Sequence, residues 1–271
     1  MMTPAERTHI LSLLDSERQT VVYPGVLRFT EGALVRDVSL DGKICEVIYA
    51  RATEEDVDRM VKREVRAARR APYELEWKLY GHDQPHCLAE RLVAAGFEAG
   101  DREAFMVLRV SNQAGNVESA GMRSSPAGAL RMAENARDLE DARLIMEEVQ
   151  ERSCEDRIAH YREMLEKHPS NMSLYIASIR GQPASCGRVY FHGQSRFAAL
   201  YGGQTRPGFR HRGLFSQIVR ARVGEAWSRG VDYVCVDALP TSEPILRKLG
   251  FEAITWTQPF KLKASRPQLT A

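Results

Sequence analysis

The 271-residue chain has few cysteines, and they form no pattern. Its five cysteines are scattered, odd in number and without a C-x-x-C pair. This spacing excludes a disulfide framework and a cysteine zinc site as organising features, and it predicts a cytoplasmic protein in a reducing compartment. The seven histidines also lack metal-ligand spacing, so we expect no metal.

The chain also lacks an excess of one charge and a long apolar run. Its formal net charge is +2 with 27% charged residues, which excludes a strongly basic nucleic-acid binder and an acidic disordered chain. No apolar run approaches the roughly 20 residues of a membrane span. Residues 4–14 are predicted to form the first helix, and they carry acidic and polar side chains, unlike a signal peptide. We therefore expect no nucleic-acid or membrane partner, and a monomer or homodimer.

The most informative stretch is residues 204–214, QTRPGFRHRGL. Strand-like residues precede this basic loop, and an apolar stripe at helical spacing follows it from Leu214 to Trp227. The start of a helix has unpaired N–H groups and about half a positive charge, and Gly213 has no Cβ to keep a ligand away. The pattern therefore predicts a backbone site for a phosphorylated ligand.

The segments that follow the loop have a recognisable order. A β-branched run at 231–237 predicts a central strand, and 243–249 predicts a short helix that Gly250-Phe251 ends. Residues 254–262 then alternate loosely as a final strand. The predicted order of elements is thus strand, basic loop, long helix, strand, short helix, Gly-Phe turn and strand.

In this order and spacing the chain resembles the GNAT (GCN5-related) N-acetyltransferases over roughly residues 128–263. Their signature loop is Q/R-x-x-G-x-G/A; Arg210 and Gly213 match it, whereas Phe215 replaces the final small residue. The resemblance implies acetyl-CoA as cosubstrate, with pantetheine along a strand that ends near Gly203 and splays from the next one. The coenzyme-binding residues that it implies are Gly203, Gln204, Thr205, Arg210, His211, Arg212, Gly213, Leu214 and Phe215.

A similar ending occurs in both halves of the chain. Residues 77–98 align without gaps on 231–252, and Gly96-Phe97 then falls on Gly250-Phe251. The alignment also pairs Asp83 with Asp237. We therefore predict an α/β (α+β) fold of two GNAT-like mixed-sheet domains in tandem, each a central twisted sheet flanked by helices. The predicted domains are 1–112 and 128–271, joined by a small-residue linker at 113–127.

The first half is expected to be a degenerate, structural relative of the second. Its predicted helix over 54–70 starts at Ala52-Thr53-Glu54-Glu55, with Thr53 as N-cap and acids that would repel a pyrophosphate. Its strands are predicted near 21–29, 33–39, 43–51 and 73–80. In the second half Asp138 is the predicted N-cap of the first helix. The elements predicted there are strands at 129–133, 173–180, 184–192 and 196–204 and helices at 138–151 and 155–167.

The chemistry that the resemblance implies is direct attack of a neutral amine, from a small molecule or a peptide, on the thioester. A lysine-like amine with a pKa near ~10.4 costs about 4.6 kcal/mol to neutralise at pH 7, an α-amine only about 1 kcal/mol. Many family members carry a tyrosine acid where this chain has Leu246. Tyr201 and Asp237 are therefore the catalytic candidates. Glu243 and His192 are weaker ones.

Two other functions fit parts of the sequence. A non-catalytic module that binds acyl-CoA or a partner protein is favoured by Leu246 and Phe215, which both depart from the family pattern. A transferase that uses aminoacyl-tRNA is a weaker alternative, since the near-neutral charge argues against it.

Overall fold

A computed structural model describes residues 2–110 and 128–262 of the chain. The predicted linker, 113–127, lies outside the described residues. In the part that is described, no helix is both long and apolar enough to cross a bilayer. The helices are α1 (Pro4–Thr20), α2 (Val57–Ala68), α3 (Leu88–Ala94), α4 (Ala136–Gln150), α5 (Glu155–Lys167), α6 (Leu214–Ser228) and α7 (Glu243–Lys248). The strands are β1 (Val26–Glu31), β2 (Leu34–Ser39), β3 (Ile44–Ala50), β4 (Glu74–Tyr80), β5 (Glu98–Ala99), β6 (Glu103–Arg109), β7 (Ala129–Met132), β8 (Met172–Ile179), β9 (Gln182–Tyr190), β10 (Phe197–Thr205), β11 (Tyr233–Ala238) and β12 (Glu252–Leu262).

The chain divides into two compact units. The first unit contains residues up to Phe105 and, from the end of the chain, residues from Ala253 onward. The second unit runs from Met106 to Glu252. The sequence had placed the last strand in the second half; in the structure its residues belong to the first unit. The tandem arrangement and its boundaries stay a prediction.

The first unit has a sheet in the order β1-β2-β3-β4-β12, with β5 also pairing with β12. The β3–β4 pair is parallel and is connected through α2, whereas the β1–β2, β2–β3, β4–β12 and β5–β12 pairs are antiparallel. Trp77, which is completely buried, packs edge-on against Phe97 in the core of this unit. Burying aromatic and aliphatic side chains of this size contributes about 1.5–3 kcal/mol each.

The second unit has a sheet in the order β6-β11-β10-β9-β8-β7 and carries helices on both faces. Residues of β8 alternate between the two faces, as expected for a strand with a period of two. Leu174 and Ile176 pack with α4 and α5, whereas Ala177 packs with Leu214 and Ile218 of α6. Each unit is thus a mixed α/β layer structure, which confirms the predicted fold class.

The two helix–Gly–Phe segments have the same local structure. Gly96 and Gly250 both have left-handed backbone, with φ of 98° and 93°. The Phe97 and Phe251 amides donate to the carbonyls of Leu92 and Leu246, each over 3.1 Å. The gapless alignment therefore holds over these segments. It does not hold for the preceding strands, because the β4–α3 connection is longer than the β11–α7 connection; Asp83 lies after β4 and Asp237 lies within β11.

The start of α4 differs from its prediction. Asn135, and not Asp138, is the N-cap, because its side-chain oxygen accepts hydrogen bonds from the amides of Arg137 and Asp138. The Asp138 carboxylate instead pairs with Arg131 and accepts the Glu134 amide. The helix therefore begins two residues earlier than the predicted 138.

Candidate functional site

The parallel strands β10 and β11 separate partway along their length. Their ladder pairs Phe197, Ala198 and Ala199 with residues 233–235 and then ends. Strand β10 continues for six more residues and β11 for three, with no further ladder pair between them among the described residues. Backbone groups that do not pair within the sheet need other partners. The divergence therefore offers main-chain donors and acceptors to an extended ligand.

A bulge in β10 lies at this point of divergence. The register with β9 shifts between Tyr201 and Gln204, and Gly202 has a left-handed φ of 57°. A Cβ at Gly202 would collide with the guanidinium of Arg188, and a Cβ at Gly203 would lie 2.7 Å from the Phe215 ring. Glycine at these positions therefore lets Arg188 and Phe215 approach the strand closely, and at Gly202 it also allows the left-handed backbone.

The loop after β10 presents a row of unpaired backbone donors. A short 3-10 turn at Pro207–Phe209 leads to His211, whose φ is 61°, and to Gly213, the N-cap of α6, whose φ is 78°. No hydrogen-bond acceptor in the described part of the chain receives the amides of residues 211–216. Because the first-turn amides of a helix point outward together, this row is suited to an anion such as a diphosphate.

The side chains of the loop have different roles. Arg206 pairs with Glu148 and donates to the Pro183 carbonyl over 2.8 Å, so it braces the loop. Arg210 and Arg212 are exposed, and each makes a single long bond, to the carbonyls of Thr205 and Gly208 over 3.2 and 3.3 Å. Their positive charge therefore faces solvent.

The side chains of the remaining coenzyme-binding candidates contact other parts of the protein. The Leu214 side chain is buried, so only its amide is available to a ligand. Gln204 accepts a bond of 3.2 Å from the amide of Gln150, and the Thr205 and Ser185 hydroxyls lie 2.8 Å apart. These contacts hold the end of β10 in place.

The two catalytic candidates lie on the diverging parts of the two strands. Tyr201 is 39% exposed at the bulge, and its ring packs edge-on against Tyr190. Asp237 is half-buried on β11, two residues beyond the last ladder pair. Leu246 is buried in α7 and offers no acid at the family's usual position.

The weaker catalytic candidates have other partners. Glu243 pairs with Arg247 over 2.6 Å. His192 accepts the amide of Gln194 through Nδ1 over 3.2 Å. Neither contact prepares the side chain for proton transfer at the bulge.

A cluster of arginine and tyrosine beside the bulge was missed from the sequence. The Arg188 guanidinium lies 5.0–5.6 Å from the ring centres of Tyr161, Tyr190 and Tyr201. Arg222 is buried and donates to the carbonyls of Arg188 and Tyr201 over 2.9 and 3.4 Å. Burial lowers the pKa of Arg222 to about 9. No sequence pattern signals this cluster, because its members come from four separate elements of the chain.

A cavity of about 1510 Å³ reaches the loop at Phe209 and Arg212. Its other walls come from β7, the start of α4 and the β8–β9 turn. None of the residues that line it belongs to β10 or β11. It is therefore distinct from the gap between those strands.

Comparison with known proteins identifies the fold. No protein-family model matches this sequence, and no curated protein does. Among solved structures, a GCN5-related N-acetyltransferase from Kribbella flavida is similar over 98% of each chain, with 16% identity and a TM-score of 0.68. A tandem GNAT protein from the clavulanic acid biosynthesis pathway covers 95% of this chain and 89% of its own, with 14% identity and a TM-score of 0.61. An acetyltransferase of the GNAT family from Colwellia psychrerythraea covers 97% and 98%, with 11% identity and a TM-score of 0.55. The chain therefore has the fold of the GNAT N-acetyltransferases, which confirms the fold that the sequence resemblance implied.

Proposed function

We propose that this protein transfers an acetyl group from acetyl-CoA to the amine of a small molecule or peptide. The observation that carries the proposal is the row of unpaired amides at residues 211–216, directly after a strand that diverges from its parallel neighbour. The amides bind the pyrophosphate, and the pantetheine pairs with the free edge of β10. The thioester then lies beside the bulge at Tyr201–Gln204.

The coenzyme contacts in this proposal come mainly from the backbone. Gly203, Gln204 and Thr205 face the pantetheine arm, and residues 210–215 surround the pyrophosphate, with Arg210 and Arg212 adding charge. A charge-assisted hydrogen bond contributes about 1.5–3 kcal/mol, and two or three supply much of the roughly 8 kcal/mol of a micromolar complex. The first half of the chain, as part of a tandem arrangement, has a structural role and binds no coenzyme.

The chemical step is direct attack of the neutral amine on the thioester carbonyl. Holding amine and thioester in register contributes much of the rate acceleration. Tyr201 and Asp237 lie on either strand beyond the ladder, and we assign them to proton transfer with the leaving thiolate and the attacking amine. Localisation in the cytoplasm, where acetyl-CoA is available, belongs to the same proposal.

Isothermal titration with acetyl-CoA tests the coenzyme site. We expect micromolar binding to the wild type and a loss of about tenfold or more in Gly213→Ala, because Gly213 has positive φ and its amide belongs to the row. The matched control is Gly208→Ala, in the same loop, where an added Cβ also meets nothing within 4 Å but the backbone is not left-handed. Absence of binding to the wild type, or equal losses in both variants, would contradict the site.

A second candidate is a non-catalytic module that binds acyl-CoA, and the buried Leu246 favours it because that side chain cannot protonate a thiolate. Release of free thiol from acetyl-CoA in the presence of a panel of amines separates the two functions. Tight coenzyme binding without acyl transfer to any amine would favour the non-catalytic module.

A further inference from the structure

The guanidinium of Arg188 has no hydrogen-bond partner in the described part of the chain. Its Nε atom is buried and unpaired, and no carboxylate there forms an ion pair with the guanidinium. The three tyrosine rings around it stabilise the cation through their faces without using its N–H donors. Five donors in a planar fork therefore remain available to an oxyanion.

A second unpaired donor lies in the same cluster. The Tyr161 side chain is 1% exposed, yet its hydroxyl has no partner. Burial raises the pKa of Tyr161 to about 12, although Arg188 opposes the shift, so the hydroxyl is neutral and able to donate. Buried polar groups are satisfied in most native structures, so two orphaned donors in one place indicate a missing acceptor.

The charges around the cluster are also unbalanced. Arg222 has no carboxylate partner among the described residues, and Arg152 and Arg157 donate only to the Oε1 atom of Gln150, over 3.2–3.4 Å. The nearby acids are occupied, since Glu147 pairs with Arg143 and Glu163 pairs with Lys167. Partial burial and the charge of Arg188 together lower the pKa of His160. Arg188 is half-buried and Arg222 is buried, and two such cations without a carboxylate partner call for an anion from outside the chain.

The position of the cluster limits what that anion belongs to. Arg188 packs against Gly202 and Tyr201 at the bulge, where the thioester lies in the proposed function. The row of amides that receives the diphosphate is at the other end of the loop, after Thr205. An anion beside the bulge therefore belongs to the acceptor and lies within a few bonds of the attacking nitrogen.

We propose that Arg188 and Tyr161 bind the carboxylate of an α-amino-acid-like acceptor, one in which the carboxylate lies a single carbon from the reacting amine. This inference rests on the proposed acetyl transfer and gives it a substrate class. The guanidinium fork matches the two carboxylate oxygens, and the Tyr161 hydroxyl donates a third bond. The positive surroundings also favour the neutral form of the amine, which reduces the need for a strong base.

The probe is a bisubstrate analogue in which the coenzyme A sulfur is joined through CH2C(O) to the nitrogen of glycine. Its matched neutral control carries glycinamide, and coenzyme A itself is the third titrant. We expect the wild type to bind the glycine analogue at least about tenfold more tightly than the glycinamide analogue, as a charge-assisted carboxylate contact requires. In Arg188→Gln this ratio should fall to about one, with the affinity for coenzyme A unchanged.

The affinities for the glycine and glycinamide analogues are compared within each variant, so a loss of stability in Arg188→Gln does not obscure their ratio. Arg162→Gln, which removes an exposed positive charge from the same helix as Tyr161, should keep the wild-type ratio. Equal affinity of the two analogues for the wild type overturns the inference, as does a preference that survives in Arg188→Gln. A uniform loss for all three titrants in Arg188→Gln assigns the residue to the coenzyme instead. Failure of coenzyme A itself to bind identifies a failure of the proposed function.

Discussion

Each unit contains a parallel strand pair connected by a helix, and the two helices start in different ways. At the start of α2 the chain pairs two of its own amides: Thr53 accepts the Asp56 amide through its hydroxyl and the Val57 amide through its carbonyl. Asp56 and Asp58 add negative charge to that first turn. At the start of α6, the N-cap Gly213 has no side chain that could accept a hydrogen bond, and the first-turn amides stay unpaired. The same supersecondary unit therefore serves as scaffold in one unit and as a candidate anion site in the other.

The gap beyond the parallel ladder also differs between the two units. The β3–β4 ladder ends at Val47 and Trp77, and the buried Arg18 side chain contacts both strands beyond that point. Its Nε donates to the Ile48 carbonyl over 2.7 Å, its guanidinium lies 3.9 Å from the centre of the Tyr80 ring, and it forms a two-pronged ion pair with Asp83. The first unit thus fills its gap with its own cation. Asp15, His82 and Asp83 lie close enough together to hold a metal ion. Arg18 pairs with both carboxylates, so the chain itself supplies the positive charge at this cluster.

The largest effect is expected from breaking the Arg18 contact in the first unit. Arg18→Met leaves the Asp83 carboxylate buried without its partner, which should lower the free energy of unfolding by about 3–5 kcal/mol. Urea denaturation followed by circular dichroism measures this loss. Arg66→Met, on the exposed side of α2, should change stability by less than about 0.5 kcal/mol. Comparable losses in the two variants would show that Arg18 does not hold the gap closed.

A smaller effect is expected from making the start of α6 resemble that of α2. In Ser216→Glu the new carboxylate, three residues after the N-cap, reaches back to the Gly213 amide and competes with the diphosphate. Acetyl-CoA affinity should fall about tenfold, whereas helix stability should rise by about 0.3–1 kcal/mol. Titration calorimetry and thermal unfolding measure the two quantities. Ser216→Gln is the neutral control. If acetyl-CoA affinity and helix stability changed in the same direction in Ser216→Glu, competition at the amides would be contradicted.

The smallest effect on stability is expected where a buried polar group lacks a partner. Tyr161→Phe removes an orphaned hydroxyl and should leave stability unchanged or raise it by up to ~1 kcal/mol, whereas Tyr175→Phe removes a 3.0 Å bond to Glu225 and should cost about 1 kcal/mol. Thermal unfolding compares the two. Tyr161→Phe should also reduce the preference for the glycine analogue severalfold. If both variants lose stability equally, the Tyr161 hydroxyl has a hydrogen-bond partner in solution and is not free to bind a ligand.

Much of the local structure followed from periodicity and capping. The predicted helix at 155–167 coincides with α5, and the predicted loop, helix and Gly-Phe turn of the second half occur in order. The first helix was underestimated at 4–14, since α1 runs to Thr20. Its last turn carries the polar run Ser16-Glu17-Arg18-Gln19, which has no apolar spacing. Arg18 is buried there because Asp83, from 65 residues away, compensates its charge.

The sequence by itself determined where the glycines, caps and apolar stripes place helices and strands, because those preferences act over a few residues. It also predicted a backbone site in the loop from Arg210 to Phe215. The tertiary structure alone decided that β12 belongs with the first unit, that Arg18 fills one strand gap, and that Arg188 and Tyr161 meet at the bulge without a partner. These features depend on which side chains approach from distant parts of the chain, and the cost of burying a charge or a hydroxyl is set by those neighbours.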